Sequence, residues 1–326
     1  MTGMTTNSEL VFNNQVAPSS PLVSIGVASY NNAQYISETL DSIFALSYAN
    51  KELIITDDAS ADNSVEVIES WLAAHPGFQA RLVRHPTNLG LCQVCNRLVS
   101  EARGEFVALI GSDDLYKLHM VSEAVAEMQR RGPACGVVYA DCEMIDKSGA
   151  VLAPSFLAHH DSRFGPHYPA GNIRIALLRG FYLPAATVLM RRSMLLKAGS
   201  YDSRLLAEDL DMWLRLCLHC EFVYLPQVVS AYRVHGLSIT QANKPGLNET
   251  FFQIYKKSHF AAGPEAEAAR NMLADHAEHY YGSKGAAAAP VLWYAFRESK
   301  KMKLLLFALA STLGISYADV IRSIRR

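Results

Sequence analysis

Three pairs of adjacent acids stand out in this 326-residue chain: Asp57-Asp58, Asp113-Asp114 and Glu208-Asp209. Neighbouring carboxylates repel one another, so keeping them together is costly unless a cation or hydrogen-bond donors sit between them. Held by hydrogen bonds they are structural; held by a hard cation they mark a metal and phosphate site. Each pair also has a plainer use. Ser60 and Asp62 could cap the helix after the first pair, Asp113 and Asp114 could cap one before Leu118, and Glu208-Asp209 could be the acidic first turn of an amphipathic helix. That last helix would bury a stripe of Leu210, Trp213, Leu214 and Cys217.

What must position these acids is an α/β alternation. From Val23 the chain reads strand VSIGVAS, a helix carrying Ile36, Leu40, Ile43 and Phe44, and strand ELIIT. It continues with a helix over Ser64 to Ala74, strand Ala80 to Arg84, a helix over Leu91 to Glu101, strand EFVALI and a helix over Lys117 to Arg131. Repeated βα units predict a mostly parallel sheet covered on both faces, with ligands at the carboxyl ends of its strands. Those ends are polar here: Tyr30-Asn31-Asn32, Asp57-Asp58-Ala59-Ser60 and Gly111-Ser112-Asp113-Asp114. Gathered on one edge, they favour a cation and phosphate site over three separate caps. No GxGxxG follows the first strand and no GxxxxGK[ST] occurs, so phosphate charge falls to a metal rather than to a glycine loop. Oxygen ligands of this kind suit Mg2+ or Mn2+ bridging a diphosphate.

The composition limits the remaining possibilities. Half the residues are hydrophobic and the net charge is −1, so the chain can build a core and lacks the basic field of a nucleic-acid binder. Residues 1–20 read as a flexible polar tail, and the densest apolar run, Leu304 to Ile315, is shorter than the roughly 20 residues of a membrane span. A cytoplasmic protein is expected. Cys92 with Cys95 and Cys217 with Cys220 have CxxC spacing but sit in helix-like stretches without knuckle glycines. Buried free thiols are therefore expected in place of zinc or a redox pair.

Four blocks, VSIGVASYNNAQYISETLDSI, ELIITDDASADNS, NLGLCQVCNRLVSEARGEFVALIGSDD and AEDLDMWLRL followed by YRVHGLS, resemble in order and spacing the family 2 glycosyltransferases. The helical pattern beyond Asn248, which the motifs do not cover, reads as a C-terminal helical extension. The resemblance implies an inverting GT-A type nucleotide-binding sandwich with a mostly parallel central sheet. It divides residues 21–248 into a nucleotide-sugar half (21–115) and an acceptor half (116–248), and leaves the helical region at 249–326 outside its motifs. It places Ala28, Tyr30, Asp58, Asp113 and Arg233 on the donor: Tyr30 stacks on the base, Asp58 bonds the base edge, and Asp113 lies near the ribose and metal. Asp114 and His235 match metal contacts, with Arg233 beside the diphosphate. Asp209 matches the catalytic base and Glu208 its partner. Many members carry Asp where this chain has Gly111, which leaves Ser112-Asp113-Asp114 as the metal motif.

A hexosyltransferase using Mn2+ or Mg2+ follows, moving sugar from a nucleotide donor, UDP-linked in the first instance, to a glycan or lipid-linked acceptor in bacterial surface polysaccharide synthesis. A nucleotidyltransferase would announce a glycine-rich basic loop, which is absent, and a binding module would not need both Asp113-Asp114 and Glu208-Asp209. The segment from about Val151 to Leu183, rich in His, Pro, Tyr and Phe, is expected to border the acceptor. From Arg297 to Arg326 there are seven basic and two acidic residues, a net +5 against −6 for the rest. Tyr317, Val320, Ile321 and Ile324 form a stripe there that either packs onto the catalytic domain or a second subunit, or rests as a peripheral helix on an anionic membrane.

Overall fold

The computed structural model describes residues 20–161, 164, 167–236, 244–258 and 263–324. Nearly all of the expected N-terminal tail, the Leu237-Ser238 end of the last motif and the two final arginines lie outside the described residues. The first half alternates as its pattern predicts: β1 (Val23–Ser29), α1 (Ile36–Phe44), β2 (Lys51–Asp57), α2 (Ser64–Ala74), β3 (Ala80–Arg84), α3 (Leu91–Glu101) and β4 (Phe106–Gly111). There follow β5 (Leu115–Tyr116), α4 (Met120–Arg131), β6 (Cys135–Ile145), β7 (Val151–Ala153), α5 (Phe156–His160), α6 (Arg174–Leu178), β8 (Leu189–Arg191), α7 (Arg192–Ala198), α8 (Asp209–Leu216) and β9 (Glu221–Arg233).

The sheet runs β3-β2-β1-β4-β8-β6-β9-β5, with β7 on β6. Every long ladder is parallel (β1 with β2 and β4, β2 with β3, β6 with β9), while the short strands β5, β7 and β8 pair antiparallel. A strand covered on both faces must be apolar throughout, and VSIGVAS is buried along its length apart from the half-buried Ala28. Gly26 has a packing reason: a Cβ there would stand 2.7 Å from Leu109 and 3.1 Å from Leu98, so only glycine lets α3 lie this close to β1. The helix expected from Lys117 begins instead at Met120. Leu115 and Tyr116 pair with Ala231 and Ser230 of β9, and the Lys117 N–H goes to the Val229 carbonyl at 2.8 Å, so these backbone groups are committed to the sheet.

Two apolar layers cover the sheet. One gathers Ile36, Leu40, Ile43, Ile68, Val121 and Met128 from α1, α2 and α4. The other gathers Cys95, Leu98 and Trp213 and runs on without a break into α9 (Lys244–Ser258), α10 (Pro264–Lys284), α11 (Ala289–Ser299), α12 (Met302–Thr312) and α13 (Tyr317–Ile324). The C-terminal helices thus complete the core, and the boundary expected at residue 248 falls inside α9. Ion pairs fasten the same seam: Arg174 to Glu265 at 2.9 Å, and Lys257 to Asp202 at 2.5 Å and Asp211 at 3.0 Å. The terminal stripe packs within the chain. Tyr317 donates to Glu278 at 2.8 Å, its ring lies 5.5 Å from those of Tyr281 and Phe307, and Val320 is buried, while Ile324 stays exposed.

All six cysteines are free thiols and all but Cys220 are buried. Burial pushes Cys92 and Cys217 up to about 12, so neither is a ready thiolate for metal or redox chemistry.

Candidate active site

The carboxyl ends of β1, β2 and β4 meet, as the parallel register requires, and each leaves its strand through a turn held by side chains. After β1, Asn31 adopts the left-handed conformation (φ 51°), which asparagine tolerates better than most residues. Its N–H donates to Ser60 Oγ at 2.9 Å and its Oδ1 accepts from the Ala61 N–H at 2.8 Å. Asn32 reaches across to Ser112 Oγ at 2.9 Å, and the Ala28 carbonyl accepts the Ser112 N–H at 3.0 Å, tying the first strand end to the last. Tyr30 is left half exposed beside them. Asp62 accepts the Ser64 N–H and hydroxyl and the Ala33 N–H, which against its partial burial hold its carboxyl below the usual carboxylate range; neither it nor Ser60 is the cap of α2, whose N-cap position is Asn63.

Asp57 accepts from Ser60 N–H, Ser60 Oγ and Ser29 Oγ. Asp58 accepts from His85 Nδ1 at 2.7 Å, Leu89 N–H at 3.0 Å and Gly90 N–H at 2.8 Å. Its two oxygens thereby fix the 85–90 loop and the start of α3.

At the end of β4, Asp114 is buried and its Oδ1 accepts the Arg233 N–H at 2.9 Å, while Asp113 Oδ2 lies 2.9 Å from His235 Nε2. Burial and the charge of Asp113 push the Asp114 carboxyl well above the usual carboxylate range, against the pull of Arg233. Arg233 is itself buried and spends its guanidinium inside the protein. Nε donates to the Asp113 carbonyl at 2.9 Å, one terminal nitrogen reaches Glu38 at 2.7 Å and the other the Asp146 and Lys147 carbonyls at 3.4 Å, with the group 4.7 Å from the Tyr35 ring centre. His235 packs at 5.1 Å on that same ring. A Cβ on Gly111 would stand 2.6 Å from Asp113 Oδ1, so the small residue gives the Asp113 carboxylate its place.

Among the described residues no three His, Cys, Asp or Glu side chains converge into a complete metal cage. The donor set nonetheless fits a hard cation that keeps most of its ligands from water and phosphate: Asp113 and His235 face each other, and the Asp114 carboxyl, raised by burial and by the charge of Asp113, is one that a bound cation would relieve.

The third pair opens α8. Asp209 is buried at the head of the helix, accepts the Leu210 N–H at 2.6 Å and takes a hydrogen bond from the Tyr182 hydroxyl. Burial and the Asp209 charge push Glu208 up to about 8, and burial raises Asp209 as well. An aromatic wall links this pair to the first site: Tyr182 lies 5.8 Å from Phe156, and Phe156 lies 5.9 Å, edge-on, from Tyr232, the neighbour of Arg233. From behind, Asp211 is held by Arg215 and Lys257 and the Leu206 N–H is held by Thr250, so α9 braces the acidic loop.

The sequence leaves out several members of this constellation. Tyr35 and Glu38 hold Arg233 from α1, and no motif spacing marks them. His85 follows β3 directly, and the rule that residues after strands matter would have found it. Tyr182 and Phe156 lie in the 151–183 segment read as bordering the acceptor, where composition alone does not say which aromatics face Asp209.

The sequence profile of Glycosyl transferase family 2 matches residues 24–195. EpsE of Bacillus subtilis (strain 168), which bears a glycosyltransferase name, is 29% identical over 200 residues, covering 60% of this chain and 67% of its own. The hyaluronan synthase of Pasteurella multocida is 27% identical over 241 residues, 74% of this chain but 22% of that longer protein. In three dimensions, S. aureus TarS 1-349 in complex with UDP-GlcNAc superposes with a TM-score of 0.63 at 16% identity over 90% of this chain and 92% of its own; of a longer TarS chain 53% is covered. The mannosyltransferase PcManGT of Pyrobaculum calidifontis, in complex with GDP-Man and Mn2+, superposes at 0.59 and 20% identity over 93% of this chain and 88% of its own. The GT-A fold expected from the four motif blocks is therefore the observed one, and with more than half its length matched by the family profile, the chain belongs to glycosyl transferase family 2 and is a sugar-transferring enzyme.

Proposed function

We propose that the chain transfers a hexose from a nucleotide sugar, UDP-linked in the first instance, to a hydroxyl of a glycan or lipid-linked saccharide, with inversion, as a step in building a bacterial surface polysaccharide. The observation that carries this reading is the pair of acidic centres at either end of the Tyr182-Phe156-Tyr232 wall: one under strain that a cation relieves, the other with proton affinities raised toward neutrality.

Tyr30 offers its exposed ring to the base, and Asp58 holds the 85–90 loop that borders it. Asp113, Asp114 and His235 would hold Mn2+ or Mg2+, which when bound supplies positive charge against the diphosphate. Arg233 sets those groups in place from behind, through its own N–H and guanidinium. Across the aromatic wall Asp209 takes the acceptor hydroxyl's proton as that oxygen bonds to the anomeric carbon and the bond to the diphosphate oxygen breaks. Attack opposite the leaving group inverts the anomeric centre. Glu208, at about 8, keeps the second proton of the pair near neutral pH and leaves Asp209 to carry the charge, a division of roles set by environment.

A panel of nucleotide sugars screened with Mn2+ for donor turnover, followed by transfer to hydroxyl acceptors and assignment of the product's anomeric configuration, tests the reading. Metal-dependent turnover of one donor with an inverted product is expected; a retained configuration, or turnover indifferent to chelation, contradicts it.

A further inference from the structure

The stripe on α13 that the sequence offers to a membrane is partly spent inside the protein, but α12 presents a different one. Its sequence, MKLLLFALAST, is apolar apart from Lys303, Ser311 and Thr312. Leu304, Phe307, Ala308, Ala310 and Ser311 enter the core, while Met302, Leu306 and Leu309, with Leu313 just beyond the helix, project outward at 68%, 44%, 47% and 75% exposure. The spacing of i, i+4, i+7 and i+11 keeps these four on one narrow line opposite the buried face. Trp293 of α11 is exposed beside it, its indole N–H donating to Thr312 Oγ1 at 3.2 Å, and Ile315 continues the patch. An apolar line of this kind left in water lacks a covering layer.

We infer that this line of side chains inserts into the interfacial layer of an anionic lipid membrane. Charge selects that occupant. The segment from Arg297 onward carries +5 while the rest of the chain carries −6, so the chain is polarised toward an anionic surface at this end. Lys300, Lys301 and Lys303 stand where the stripe begins; Lys301 and Lys303 are paired with Asp275 at 3.7 Å and Glu278 at 2.7 Å, and both remain about half exposed. Such surface pairs are weak and exchange readily for lipid phosphates. Area argues the same way. One row of four aliphatic side chains and an indole falls well short of the roughly 800 Å2 per partner that a stable protein interface buries, whereas shallow insertion of a few aliphatics and a tryptophan beside lysines is what a lipid interface accepts. Among the described residues no helix is long and apolar enough to cross a membrane, so the contact lies on the surface.

The test uses the full chain and vesicles of phosphatidylcholine with or without phosphatidylglycerol. Trp71 and Trp213 are buried, so Trp293 is the indole placed to report insertion. Cosedimentation and a blue shift of emission are expected with the anionic vesicles at low salt, both lost as salt rises. The double variant Leu306→Glu/Leu309→Glu should bind these vesicles more weakly by roughly tenfold or more, with unchanged solution turnover of donor. Should that variant fail to fold, the wild-type emission shift alone decides. No binding to anionic vesicles at low salt, binding without a shift, or a concentration-dependent dimer of the free protein that the variant dissociates would each overturn the inference. Donor turnover in solution is measured on the same samples, so its failure marks the proposed activity and not the lipid contact.

Discussion

At the end of β2 and at the head of α8 the chain places the same chemical group, two adjacent acids, in opposite surroundings. All four oxygens of Asp57 and Asp58 accept hydrogen bonds from the chain, from Ser29, Ser60, His85, Leu89 and Gly90. Burial raises both Glu208 and Asp209, and the charge of Asp209 raises Glu208 further, while Asp209 accepts from the Leu210 N–H and the Tyr182 hydroxyl. The first pair spends its oxygens holding turns and a loop, whereas burial in the second makes the proton harder to lose, which suits a carboxyl that must exchange one. In Asp113-Asp114 the two features combine: Asp114 is anchored by the Arg233 N–H, yet burial and the charge of Asp113 push its carboxyl well above the usual carboxylate range.

Removing Asp114 should do the most damage. Asp114→Ala is expected to abolish metal-stimulated turnover, and because the buried Arg233 N–H loses its acceptor it should also lower stability by about 1–3 kcal/mol. Turnover and Mn2+ stimulation near wild type would remove Asp114 from the metal site. Asp58→Ala should act through structure: it strips acceptors from two backbone N–H groups and His85, so denaturant unfolding should show a loss of about 2 kcal/mol. A variant of unchanged stability would show that the 85–90 loop is held by other means. The smallest effect is that of Glu208→Gln, and it depends on pH. Glu208 binds its proton more tightly folded than unfolded, so wild-type stability should decline as pH rises from about 4.5 to about 8. Relative to wild type, the amide variant should gain melting temperature at pH 8 and little at pH 4.5; parallel pH profiles would show that Glu208 is not raised.

How much of this could be read in the sequence follows from what kind of signal each part leaves. β1, β2 and β4 were legible because a doubly covered parallel strand is a short apolar run, and the helices between the strands show their own periodicity; β3, half-buried at the sheet edge, was legible from its place in the alternation. The two-residue β5 has no length over which to show a pattern, and its pairing with β9 is a long-range event that displaced the start of α4 to Met120. The acidic pairs were legible as types, since adjacent carboxylates are costly. Their surroundings were not: nothing local shows that Arg233 turns inward to Glu38 and the Asp113 carbonyl, or that Asp58 serves a loop some thirty residues on. The C-terminal region shows the same limit: periodicity marks the Tyr317-Val320-Ile321-Ile324 stripe, and the run from Leu304 to Ile315 is legible only as apolar, without the line of side chains that α12 leaves exposed.

The account rests most heavily on Asp209 as the base, and the direct measurement is Asp209→Asn, which keeps shape and removes basicity, assayed for both donor binding and transfer. Donor affinity should stay within a few-fold of wild type while transfer falls by about 100-fold or more. Transfer within tenfold of wild type, at unchanged donor affinity, would contradict it and move the base to another residue.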